Sequence, residues 1–99
     1  MTLKVKVKYF SYTLRELARA SEEEMELKDG STLAELIEML ALKYSVAEFS
    51  AGARTATGKI DPSIQFLVNG VSAHGLHGLE TKLNEGDVVA IFIFPPVGG

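Results

Sequence analysis

Apolar and charged residues alternate from the first strand-like segment, "LKVKVKYF". Leu3, Val5, Val7 and Tyr9 fall on one side; Lys4, Lys6, Lys8 and Phe10 fall on the other. A period of two predicts a β-strand with one face in a core. The lysines make the other face wet and discourage unwanted strand pairing. Phe10 is the odd member, an aromatic on the polar side. "TLRELARA" follows as a short helix, with Thr13 and Glu16 at capping-box spacing. Glu22 to Glu24 read as a solvated turn, and "MELK" as a second strand.

The periodicity then changes. In "STLAELIEMLALKYS", Leu33, Leu36, Ile37, Leu40 and Tyr44 recur at helical spacing, and Thr32 with Glu35 forms a capping box. This predicts the main helix, with one apolar stripe laid on a sheet. Val46 to Asp61 carries no period and reads as a long connection. "SIQFLVNG" predicts a strand ending in an Asn69-Gly70 turn. "HGLHGLETKLNEGD" reads as loop, and "VVAIFIF", Val88 to Phe94, as the last strand. The first and last strands are the most apolar, so they are expected to pair at the centre. The expected fold class is α+β, of β-grasp type, a mixed sheet packed on one main helix.

The last strand does not alternate, although one helix covers only one face of such a sheet. If Val89, Ile91 and Ile93 face the helix, then Ala90, Phe92 and Phe94 face outward, on the side of Phe10. The opposite phase is also open, and both leave apolar groups outside the core. Two readings of that band compete. Either the 46–61 connection or a second copy covers it, or it docks a partner protein.

Composition narrows the classes of function. Ninety-nine residues make one domain, and a formal charge of −3 argues against nucleic acid as partner. With no cysteine, disulfides, thiolate metal sites and a Cys nucleophile are excluded. No apolar run is long enough to span a bilayer and no signal peptide is read, so no membrane partner and a cytoplasmic location are expected. "GARTATGK" is one residue too long for a phosphate loop, and Ile60 stands where Ser or Thr must hold magnesium. His74 and His77 have H-x-x-H spacing, but the segment is glycine-broken and lacks a third ligand. No catalytic triad or nucleophile elbow is present, so the chain is not expected to be an enzyme on its own.

The chemistry is expected at the tail, "FPPVGG". Residues 1–94 are read as the folded domain and 95–99 as an extended tail. Pro95 and Pro96 fix φ and favour an extended course away from the sheet. Gly98 and Gly99 add no side chain, so the backbone can enter a channel too narrow for a Cβ. Ordering such a tail costs about 1–2 kcal/mol of backbone entropy per residue. Burying phenylalanines beside it contributes roughly 1.5–3 kcal/mol each. The tail therefore needs an adjacent apolar anchor. What reaches the end of the channel is the Gly99 α-carboxylate, a poor electrophile that ATP can activate as an acyl-adenylate for attack by sulfur, amine or thiol.

"VKVKYFSYTLRELA", "DGSTLAELIEML", "VNG", "LNEGDVVAIF" and the closing "FPPVGG" together resemble the MoaD/ThiS sulfur carriers along nearly the whole chain, least over Val46–Pro62. The terminal block is the most specific part. The resemblance implies that Gly99, with Gly98 beside it, is adenylated by an E1-like enzyme of MoeB type, which uses the ATP. A sulfur donor protein then supplies the sulfur of a thiocarboxylate. No cofactor is expected on the chain itself. On the MoaD branch, favoured by length and the full central helix, it implies the small subunit of molybdopterin synthase, a transferase whose MoaE-type large subunit is catalytic. The thiocarboxylate would supply sulfur for the molybdopterin dithiolene. Phe10 and Phe94 match aromatic positions of partner contact in the family, and Phe92, Pro95, Pro96 and Val97 complete the expected partner-binding set. The tail departs from the common pattern in that Val97 runs straight into Gly98 without an intervening Ser or Thr. A ubiquitin-like modifier joined to lysines through Gly99, a thiazole-pathway carrier, and a plain interaction domain are the other readings.

Overall fold

In the computed structural model the described residues are 1–10, 15–16, 18–44 and 64–93. Five strands and one main helix follow in the order β1 (Thr2–Tyr9), β2 (Glu22–Lys28), α1 (Leu33–Tyr44), β3 (Ile64–Val68), β4 (Val71–Ser72) and β5 (Val88–Ile93). The sheet order is β2-β1-β5-β3-β4. β1 and β5 run parallel at the centre, while β1–β2, β3–β5 and β3–β4 are antiparallel. This is the α+β mixed sheet on one helix expected from the periodicity.

Each element follows from its residue pattern. Leu3, Val5, Val7 and Tyr9 of β1 are buried, as are Val89 and Ile91 of β5 and Ile64, Phe66 and Val68 of β3. Leu33, Leu36, Ile37 and Leu40 of α1 close the core from above. Each such side chain removed from water contributes roughly 1.5–3 kcal/mol. At the helix N-terminus the Glu35 N–H donates to Thr32 Oγ1 at 3.4 Å, the predicted cap. The same end is tied to a distant segment: the Leu33 N–H donates to Thr81 O, and the Leu83 N–H to Ser31 O.

Asn69 and Gly70 have φ of 53° and 84°. Two consecutive positive φ values are what a two-residue primed hairpin turn requires, and this one joins β3 to β4. Asn69 also clamps the start of β5. Its Nδ2 donates to Asp87 Oδ1 at 2.9 Å, and its Oδ1 accepts the Val88 N–H at 2.9 Å. The loop expected over 74–87 contains two 3-10 turns, Ala73–Gly75 and Gly78–Glu80, and buries Leu79 and Leu83.

One expectation needs revision, and two others fall outside the described residues. Glu22 to Glu24 are not a solvated turn: they are the first three residues of β2, paired with Lys8, Val7 and Lys6 of β1. Opposite charges across the strands offset the poor β-propensity of glutamate, and Lys6 Nζ lies 3.3 Å from Glu22. The helix predicted over "TLRELARA" is present at Arg15, Glu16 and Ala18. Thr13 and the 46–61 connection lie outside the described residues.

Glu23 explains why the second strand starts early. It is in phase with Met25 and Leu27, on the helix side of the sheet. There the Tyr9 hydroxyl donates to its Oε2 at 2.7 Å, the Tyr44 hydroxyl donates to the same oxygen, and Lys43 Nζ donates to Oε1 at 2.5 Å. One carboxylate thus joins β1, β2 and the C-terminal turn of α1. Burial raises the Glu23 pKa, but the hydrogen bonds from Lys43, Tyr44 and Tyr9 outweigh it and hold the group below its ordinary value. Burial first, then the bond to Glu23, pushes both tyrosine hydroxyls above their ordinary range.

The signs give a pH profile. A carboxylate depressed in the folded state stabilises the fold above its unfolded pKa, near 4.5, and loses that contribution as pH falls through the lower folded value. The raised tyrosines stabilise it below pH 10, and that contribution is lost as pH climbs above 10 toward their folded values. Urea midpoints measured across pH should therefore fall at both ends, and Glu23→Gln should flatten the acid limb. Tyr44→Phe should cost about 1 kcal/mol at neutral pH, read from the same midpoints.

Candidate functional site

Below the core, the sheet presents a second face built from the other phase of every strand. β1 contributes Lys4, Lys6 and Lys8. The register carries this face into β5 and β3, with Lys8 beside Ala90, Ala90 beside Leu67, and Phe92 beside Gln65. Leu67, Ala90 and Phe92 are half-buried, whereas Val89 and Ile91 are completely buried. That settles the phase left open by the sequence: Val89 and Ile91 face the helix, and Ala90 and Phe92 face away from it.

Phe10 joins this face just past the end of β1. Its N–H donates to Ile91 O at 3.0 Å, continuing the parallel ladder by one residue. That register sets its ring on Phe92, with centroids 4.7 Å apart and planes within 8°. Stacked aromatics of this kind are worth about 0.5–1.5 kcal/mol beyond the area they bury. Phe10 nevertheless remains 48% exposed. Arg15 steadies the corner, its Nε donating to Tyr9 O at 2.7 Å while its guanidinium carbon lies 5.9 Å from the Phe10 ring centroid. The sequence showed Arg15 only as part of a short helix. Its role depends on Arg15 lying beside the end of β1, within reach of the Tyr9 carbonyl.

Of the expected site residues, Phe10 and Phe92 are thus brought together, at the end of β5 from which the tail departs. Phe94, Pro95, Pro96, Val97, Gly98 and Gly99 lie outside the described residues, as does the proposed boundary between domain and tail. His77 is exposed, and its N–H donates to Thr81 Oγ1. No three His, Asp or Glu converge on a metal-sized site among the described residues. Nor is any described helix long and apolar enough to cross a membrane.

Comparison with known proteins agrees with this geometry. The chain is 28% identical to small archaeal modifier protein 3 of Haloferax volcanii, over 98% of this chain and 99% of that one. The solution structure of the Haloferax volcanii HVO 2177 protein superposes with a TM-score of 0.78 at 28% identity, covering 99% of this chain and 88% of the other. A Pyrococcus furiosus protein assigned as subunit 1 of molybdopterin converting factor is 32% identical, with a TM-score of 0.66, covering 96% and 99% of the two chains. The model of the ThiS family aligns with residues 7–99, from within β1 through the tail. The sheet order, the main helix laid across the sheet and the match over residues 7–99 make the chain a member of the ThiS family, the ThiS/MoaD group of ubiquitin-like sulfur carriers.

Proposed function

We propose that this protein carries sulfur as a thiocarboxylate on Gly99 and serves as the small subunit of molybdopterin synthase. The observation that carries the reading is the stacked Phe10–Phe92 pair. It puts an apolar anchor on the strand that leads directly into the tail, where the energetics of ordering that tail require one. An E1-like enzyme and then a MoaE-type large subunit would each seat this face and draw the tail into a narrow channel.

The chain's own contribution is a reacting group on a defined tether. The Gly99 carboxylate oxygen attacks the α-phosphorus of ATP on the activating enzyme, releasing pyrophosphate and forming the acyl-adenylate. A sulfur nucleophile from the donor protein then attacks the carbonyl carbon, and AMP departs. Where that nucleophile is a persulfide the product is an acyl disulfide. A thiol attacking the donor's own sulfur then forms a disulfide with it and supplies the electron pair that releases the thiocarboxylate. The chain supplies no acid or base to these steps; it presents and positions the carbonyl.

A second reading is favoured by the similarity to the archaeal modifier. In it, the same adenylated Gly99 is passed to lysine amines of other proteins as an isopeptide. Both readings share the activation step and separate afterwards. The test is to incubate the protein with ATP, a sulfur donor and its E1-like enzyme and record the intact mass. A gain equal to one oxygen replaced by one sulfur is the expected result. The product should then convert the cyclic pyranopterin precursor in the presence of the large subunit. Recovery of Gly99 on lysines with no stable thiocarboxylate would replace this reading with the modifier. No mass change with an active cognate enzyme would overturn both.

A further inference from the structure

β2 is an edge strand whose outer side pairs with no strand among the described residues. Its register with β1 tells which backbone groups point outward. Tyr9 N–H donates to Ser21 O, and Asp29 N–H to Met1 O, at the two ends of the ladder. Alternation between those ends directs the N–H and C=O groups of Glu23, Met25 and Leu27 toward β1. The groups of Glu22, Glu24 and Glu26, with the N–H of Lys28, therefore point away from the sheet; the Lys28 carbonyl accepts the Ser31 N–H. Beside this edge, between β2 and α1, lies a groove of about 420 Å³ lined in part by Leu27, Glu35, Glu38, Met39 and Leu42. Leu42 is 83% exposed and Met39 40%.

We propose that the outer edge of β2, with the groove it shares with α1, docks an extended segment of a partner protein in which apolar residues alternate with lysine or arginine. The backbone array specifies a strand as occupant. The two faces of that strand have different requirements. Residues directly opposite Glu22, Glu24 and Glu26 share the open sheet face with those carboxylates, which selects positive charge. The alternate residues lie on the helix side, over Met39 and Leu42, which selects apolar side chains, and Glu35 in the groove lining adds negative charge beside them. β1 already meets this specification on the inner side of β2, with Lys4, Lys6 and Lys8 across from Glu26, Glu24 and Glu22.

Charge also argues against a second copy as occupant. Two β2 edges paired antiparallel would set glutamates against glutamates, which is destabilising. The other edge of the sheet, β4, is only two residues long. Docking at β2 is independent of the carboxyl tail. β2 lies two strands from β5, about 10 Å at ordinary strand spacing, so the Phe10–Phe92 face and the tail can be engaged at the same time.

The test uses the full chain and a blocked Lys-Val-Lys-Val-Lys-Val-Lys peptide, followed by amide NMR. Saturable shifts are expected at Glu22, Glu24, Glu26 and Lys28 and at Met39 and Leu42. They should vanish with a peptide N-methylated on the residues that pair with the edge, and with a Glu-Val alternating peptide. Leu42→Lys, on an exposed helical position, should weaken binding about 10-fold. Glu24→Lys should weaken it about 5-fold, provided its β1–β2 amide pattern is retained. Shifts centred instead on Phe10 and Phe92, indifference to N-methylation, a dimer through β2, or no saturable shift would each overturn the proposal. The peptide controls and Leu42→Lys decide the matter even if Glu24→Lys does not fold.

Discussion

Removing Gly99 is expected to abolish thiocarboxylate formation while leaving the folded domain unchanged. The variant still ends in a carboxylate, that of Gly98, so chemical identity is preserved and only reach is lost. One extended residue spans about 3.3–3.6 Å. A misplacement of about 1 Å at a reacting centre can already cost on the order of 100-fold in rate. The loss should therefore exceed 100-fold and fall below detection in an intact-mass assay with ATP and the E1-like enzyme. Adding one alanine after Gly99 should do the same by moving the carboxylate too far. Gly98→Val probes the channel rather than the reach, since it restores the length and adds only a side chain. Wild-type rates for any of these three would remove the reason for assigning function to the tail. Unchanged urea midpoints would confirm that each effect is chemical and not a loss of the fold.

Replacing both Phe10 and Phe92 by alanine is expected to weaken capture by the activating enzyme on the order of 100-fold or more, taking roughly 1.5–3 kcal/mol for each aromatic buried at an interface. The two effects should not add, because the rings stack on each other at 4.7 Å and each supports the exposed face of its neighbour. Phe10→Ala alone should affect affinity more than stability, since Phe10 is already half exposed in the free protein. Phe92→Ala should lower both, because the ring also fills the sheet face beside Gln65. The measurements are a titration against the enzyme and a urea melt of each variant. Undiminished binding by the double variant would mean that partners seat elsewhere, and the tail would lose its proposed anchor.

Much of the architecture was legible because it is written in short-range periods. Alternation in residues 3–9 marks β1, and the i, i+3, i+4 spacing from Leu33 marks α1, since these periods match the strand and helix repeats themselves. Thr32 as a cap was legible for the same reason, since the Glu35 N–H it accepts lies three residues on, and Asn69-Gly70 was legible as a turn because both residue types tolerate the positive φ it requires. Glu22 to Glu24 were misread because three consecutive carboxylates look like a solvated turn when each is taken alone. The available signal was phase, since Glu23 stands two residues before Met25 and four before Leu27, in the row that faces the core. Its partners, Tyr9, Tyr44 and Lys43, come from other elements, and no local rule brings them together.

The chain's own pattern thus specified an α+β fold, an apolar central pair of strands and one capped helix, and it raised the expectation of chemistry at Gly99. Periodicity of two states that a strand has different faces, but not which strand lies beside it or which phase is buried. Those choices were made by packing of the whole core. The parallel register of β1 with β5 buries Val89 and Ile91 under α1 and so turns Phe92 outward. It also carries Phe10 onto Phe92 from the opposite end of the chain. The same packing leaves β2 at the edge, with its backbone and glutamates turned outward. Contacts between distant segments depend on which arrangement buries the most apolar surface with every buried backbone group paired, and that is a property of all the elements at once.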